Sequence, residues 1–117
     1  MISLGFEQRA SKQARRSRSK LELFLSLCQN IGTFMKQHGG NLKAFLSPRG
    51  GGSFGLYMVT DVEVYDFALS NKLAELAGPY IGRGLLDSVT LLPASSPDEL
   101  TAFFDPDSAV RIEIDHA

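Results

Sequence analysis

Between Leu21 and Met35 the apolar residues Leu21, Phe24, Leu25, Cys28, Ile31 and Met35 fall three or four positions apart, and Leu27 and Phe34 widen the stripe. That spacing lines one side of an α-helix. It predicts a helix from Leu21 to about Gln37, with Gly39-Gly40 supplying a left-handed stop. Upstream, Gln8 to Lys20 contains good helix formers but almost no apolar side. Any extension of the helix through it is therefore a solvated, fraying arm.

The period then changes. Asn41 to Ser47 and Phe54 to Thr60 read as strands flanking Pro48-Arg49-Gly50-Gly51-Gly52-Ser53, and a hairpin is their simplest connection. The second is apolar on both faces, as a central strand is. In Asp61 to Phe67, Val62, Val64 and Tyr65 favour a strand, while the position suits a loop or the approach to a helix. A second helix is predicted from about Ser70, as cap, to Ala77, with Leu73, Leu76 and Ala77 inward. Gly78-Pro79 should loosen it, with Tyr80 and Ile81 continuing the buried side. Leu85 to Leu92 reads as a strand ended by Pro93.

Ser96-Pro97-Asp98-Glu99 combines a serine cap, proline at the first helical position and a glutamate placed to complete a capping box. It predicts a short helix with Leu100, Phe103 and Phe104 on its apolar side. Val110, Ile112 and Ile114 alternate with Arg111, Glu113 and Asp115, the two-residue period of a half-solvated strand at or near a sheet edge. The expected fold is α+β: a four-stranded mixed sheet with about three helices mainly on one face, in the order α-β-β-α-β-α-β. A link through the middle helix to a parallel strand should cross over right-handed.

Composition places this pattern in one domain. At 117 residues there is room for one core, and 44% apolar with 21% charged residues is ordinary for a folded chain. The net charge of −1 conceals an asymmetry. Residues 1–20 carry Arg9, Lys12, Arg15, Arg16, Arg18 and Lys20 against Glu7, a net +5, whereas the remaining six cations and twelve acids give −6. The expectation is a basic, flexible arm over residues 1–20 on an acidic domain over residues 21–117. The single cysteine, Cys28, allows no intrachain disulfide and fits a reducing compartment, so a cytoplasmic location is expected. Glu22, Gln29 and Asn30 interrupt the most apolar stretch, which is too short and too polar for a membrane span or a secretory signal. The arginine- and serine-rich residues 8–20 also have the composition of an organellar transit segment.

Six cations within twelve residues suit phosphate neutralisation, and with it salt-sensitive binding to RNA or DNA. No aromatic residue interleaves them to stack on bases, so such contacts would be backbone-directed and sequence-tolerant; together, a solubilising tail, a transit segment or a flexible partner-binding arm is the plainer reading. Gly50, Gly51, Gly52 and Ser53 could cradle an anion with Arg49, but the loop lacks the lysine of a Walker motif and opens no helix, so a hairpin loop explains it. Asp61, Glu63 and Asp66 follow the central strand, where many α/β proteins place ligand contacts; turn or capping roles explain them as well. Cys28 reads as a packed thiol. His38 stands beside the helix stop, and His116 near the last residue. Neither joins a triad, and no paired-ligand spacing suggests a metal. Asp105-Pro106-Asp107 lacks the rest of a calcium loop and reads as a stiffened turn.

These readings point to a non-catalytic interaction or regulatory domain with no cofactor. Its partner is a protein or a second copy, engaged through a helix face or the edge strand bearing Val110, Ile112 and Ile114. Nucleic-acid binding through the arm is the alternative. A small enzyme or anion-binding protein using Arg49, the glycine loop and Asp61 is the third.

Overall fold

The structure, a computed structural model, describes residues 2–38 and 41–113. In chain order it contains α1 (Ile2–Gln37), β1 (Lys43–Pro48), a 3-10 turn (Gly50–Gly52), β2 (Phe54–Val59), α2 (Phe67–Gly82), β3 (Leu86–Leu92), α3 (Pro97–Leu100) and β4 (Val110–Ile112). The expected α-β-β-α-β-α-β order holds. The four strands form one mixed sheet in the spatial order β3-β2-β1-β4, with β2 parallel to β3 and the other two pairs antiparallel.

The sheet has unequal faces. Ala44 and Leu46 of β1, Leu56 and Met58 of β2 and Leu86 and Leu91 of β3 join Leu27, Ile31, Phe34 and Met35 of α1 and Leu69, Leu73, Ala77 and Tyr80 of α2 in the main core. The opposite face carries Phe45, Tyr57, Val59 and Leu92 beneath Leu100 and Phe104. The Phe104 ring lies 5.0 Å from that of Phe45 and 4.6 Å from that of Tyr57. Phe103, expected on the apolar side of this helix, is half exposed instead.

In α1, Ile31 and Met35 of the predicted stripe are buried together with the widening residues Leu27 and Phe34, and Phe24 and Cys28 pack partly buried against the core. Leu21 and Leu25 stand 59% and 51% exposed. Apolar residues occupy more of this helix than the sheet and α2 can cover, so packing leaves part of the stripe in water. The predicted stop at Gly39-Gly40 lies outside the described residues. So do Ile114, Asp115 and His116.

α2 begins a turn earlier than its apolar spacing suggests. Asp66, in extended backbone, accepts the Leu69 amide at 3.0 Å and is the true cap; Ser70 lies inside the helix. Asp61 to Val64 is therefore a loop, tied down where the Ala94 amide donates to the Val62 carbonyl. The helix also runs through Pro79 instead of loosening there. Glycine at 78 removes the Cβ that would press against the proline ring, and Glu75, whose carbonyl loses its donor, faces solvent. Gly84, at φ +78°, ends α2 in a Schellman motif: the Leu85 amide donates to the Tyr80 carbonyl and the Gly84 amide to that of Ile81. Tyr80 is buried as expected, while Ile81 is 42% exposed.

The capping box of α3 is complete: the Ser96 hydroxyl accepts the Glu99 amide at 3.2 Å, and Glu99 accepts the Ser96 amide at 3.0 Å. The Ser96 amide, and then its hydroxyl, hold the Glu99 carboxyl below the usual glutamate range.

Replacing Asp66 by alanine should cost about 1 kcal/mol in chemical unfolding, because an amide of the first turn loses its acceptor, whereas Ser70→Ala should change stability by less than about 0.5 kcal/mol. Equal effects would place the cap elsewhere. Glu99 is favoured as the anion in the folded chain, so its contribution is present above the unfolded glutamate pKa and is lost as pH falls through the lower folded value. Thermal melts of Glu99→Gln should therefore show a shallower loss of stability across that acid window than the parent.

Candidate functional site

The glycine loop closes the β1–β2 hairpin with its own bonds. The Arg49 amide donates to the Ser53 carbonyl at 2.8 Å, and the Ser53 hydroxyl donates to the Gly50 carbonyl at 3.3 Å. Gly51 and Gly52 sit at φ +78° and +82°, in the left-handed region that glycine enters without strain.

The Arg49 side chain turns back across the sheet face opposite the long helices. It donates from Nη2 to the Tyr57 hydroxyl, lies 5.8 Å from the centre of that ring, and reaches 3.9 Å from Asp87 Oδ1. It crosses directly over Gly55, where a Cβ would stand 3.0 Å from both Nε and Nη2 and 3.2 Å from Ser88 Oγ. Arg49 is thus held by a phenol and a carboxylate on its own sheet. Gly55 is the residue that makes room, a role no local motif announces.

Asp61 does not join this group. Arg49 and Gly50 to Ser53 precede β2 and Asp61 follows it, so the six residues of β2, about 20 Å of extended chain, separate them. Asp61 and Glu63 are exposed in the loop, and Asp66 serves as the cap of α2. Among the described residues no group of three histidine, cysteine, aspartate or glutamate side chains could hold a metal. No helix among them is long and apolar enough to cross a membrane.

Among the described residues, grooves border α1 on two sides. One, of about 520 Å³, lies between α1 and α2 above the buried Tyr80, whose hydroxyl accepts the Asn30 amide at 2.6 Å and shares a bond with Ser26 at 2.9 Å. These bonds tie α1 to α2 at Tyr80. The other, of about 660 Å³, lies between α1 and the edge strand, lined by Cys28, Gln29, Gly32 and Lys36 on the helix and Arg111, Ile112 and Glu113 at β4. Burial pushes the Cys28 thiol up, away from the reactive thiolate.

This second groove joins two expected interaction features. β4 is three residues long and, among the described residues, pairs with β1 alone. Ile112 is buried in the main core, whereas Val110 is 41% exposed. On α1, Leu21, Leu25, Cys28, Gly32 and Lys36 recur at three- and four-residue steps and so share the side that faces the groove. A Cβ built on Gly32 meets nothing within 4 Å. The backbone of α1 continues through the basic segment to Ile2, which places Arg9, Lys12, Arg15, Arg16, Arg18 and Lys20 on the same helix.

No family model, curated protein or solved structure matches this chain.

At neutral pH, Cys28 should react with iodoacetamide more slowly than free cysteine, since burial raises its pKa and withholds the thiolate. Faster modification would mark an activated thiol and reverse the packing assignment.

Proposed function

We propose that this chain is a non-catalytic interaction domain that associates with a second copy of itself along β4 and the neighbouring side of α1. The observation that carries the reading is the exposure of Leu21 and Leu25, at 59% and 51%, on the helix side whose following residues Cys28, Gly32 and Lys36 border a sheet edge that, among the described residues, pairs with β1 alone. Isolated exposed leucines are common, but apolar side chains at helical spacing beside unpaired strand groups combine the two features that support docking. Neither suffices alone. Three residues of strand cover far less than the roughly 800 Å² per partner of a typical stable interface, so the helix must supply most of the contact.

The chemistry of enzymes and anion sites has weaker support. Arg49 is engaged by Tyr57 and Asp87, and Asp61 lies at the far end of β2.

Sedimentation of the full chain should show a concentration-dependent dimer, and Leu25→Asp should weaken it by about tenfold or more while the dilute chain, below the dimerisation range, keeps its folded circular dichroism, because Leu25 is half exposed in the single chain. A parent chain that remains monomeric up to about 100 μM would overturn the reading.

A second reading rests on the helical backbone of the basic segment. Continuity from Ile2 spaces its cations along a rod, a form that can follow a phosphate backbone. It predicts RNA or DNA affinity that falls steeply with salt, and that is lost when Arg9, Lys12 and Arg16 are together replaced by glutamine. Affinity unchanged by salt would remove it.

A further inference from the structure

Resting on the self-association reading, we infer the geometry of the pair: β4 meets β4 of the second copy antiparallel, with the two-fold axis at Ile112. The order of charge along the strand leads to this register. Arg111 and Glu113 flank Ile112 and share one face of the strand, where Arg111 Nε lies 3.8 Å from Glu113 Oε1. Both side chains are more than half exposed, at 54% and 75%.

In an antiparallel pair, residues directly opposite one another share a face of the sheet. An axis at Ile112 sets Arg111 of each copy opposite Glu113 of the other, giving two cross-strand ion pairs. An axis at Arg111 or at Glu113 sets like charges against each other. A parallel pairing in register does the same at both positions. An axis at Val110 overlaps the strand equally but sets Arg111 opposite Ala109 and Glu113 opposite Asp107, so it forms no cross-strand ion pair, and charge order selects Ile112.

The same axis extends the sheet to eight strands, with β4 and its symmetry mate at the centre. The helices of both copies then lie on one face, because the two-fold stands perpendicular to the sheet. The α1 sides bearing Leu25, Cys28 and Gly32 approach each other across the seam, and the open space at Gly32 lets the backbones come close. The groove between α1 and β4 becomes the place where the two copies meet.

The test is a charge swap in the full chain, with far-UV circular dichroism confirming that each variant is folded. Arg111→Glu alone and Glu113→Arg alone each replace two attractive contacts by two repulsive ones, and should weaken the dimer about tenfold or more. The double variant Arg111→Glu/Glu113→Arg restores both contacts and should return to within about threefold of the parent. Mixing the two single variants should produce a heterodimer, since one edge is then wholly acidic and the other wholly basic. If the parent dimerises but neither single variant differs from it, the register is wrong while self-association stands. If the double variant stays as weak as the singles and the mixture forms no heterodimer, the register is likewise overturned. A monomeric parent overturns the geometry and the reading beneath it together.

Discussion

Leu46, Leu56 and Met58 lie on the helix-facing side of the β1–β2 pair, and none of them reaches water. On the reverse side Phe45 and Tyr57 stand opposite each other and are covered by Phe104. Both faces of this central pair are thus apolar, and that removes the usual guard on its register. In a strand with one wet face, a slip of one residue exposes the core set. Here a slip would exchange one apolar set for another. The register needs a different anchor, and the hairpin loop supplies it. The Arg49 amide bond to Ser53 fixes the turn, and the Arg49 side chain lies closely across Gly55, where a Cβ would stand 3.0 Å from Nε and Nη2. Arg49, the glycines and Ser53 then serve the register of the two strands against which every other element packs.

This accounts for what the sequence disclosed and what it concealed. Elements with a strong local signature were legible: the capping box at Ser96 to Glu99, the apolar run of β2 and the helical spacing of α1. The exposure of Leu21 and Leu25 was not, because apolar residues at 21, 24, 25, 27, 28, 31, 34 and 35 cover so much of the helix that only packing decides which are buried. The start of α2 was misplaced because Asp66 and Ser70 are both good caps, and Asp66 wins by bringing Leu69 into the buried set with Leu73. At Pro79 a local rule gave way to a neighbour: glycine at 78 removes the Cβ that would press on the proline ring, and Glu75, whose carbonyl loses its donor, is an exposed residue. Arg49 was legible as a notable residue but not as an occupied one. Its carboxylate, Asp87, is 38 positions away and reaches it only through the parallel pairing of β2 with β3.

The surface left over from folding is informative for the same reason. A helix that carried only the apolar residues needed by its own sheet would end with a polar outer side. α1 exceeds that need at Leu21 and Leu25, which by helical spacing share the side of Cys28 and Gly32, the residues that border β4. Exposed edges invite indiscriminate pairing, and short strands bearing charge are a common restraint on it. In the proposed pairing, Arg111 and Glu113 act in both directions. They keep the edge soluble and repel parallel or shifted partners, yet become complementary when an identical strand arrives antiparallel about Ile112. Specificity here is a difference between alignments, and most of it comes from the alignments that the charges forbid. The apolar side of α1 supplies area without direction, whereas the charge order of β4 supplies direction with little area. Each lacks what the other provides, which is why the proposed interface requires both.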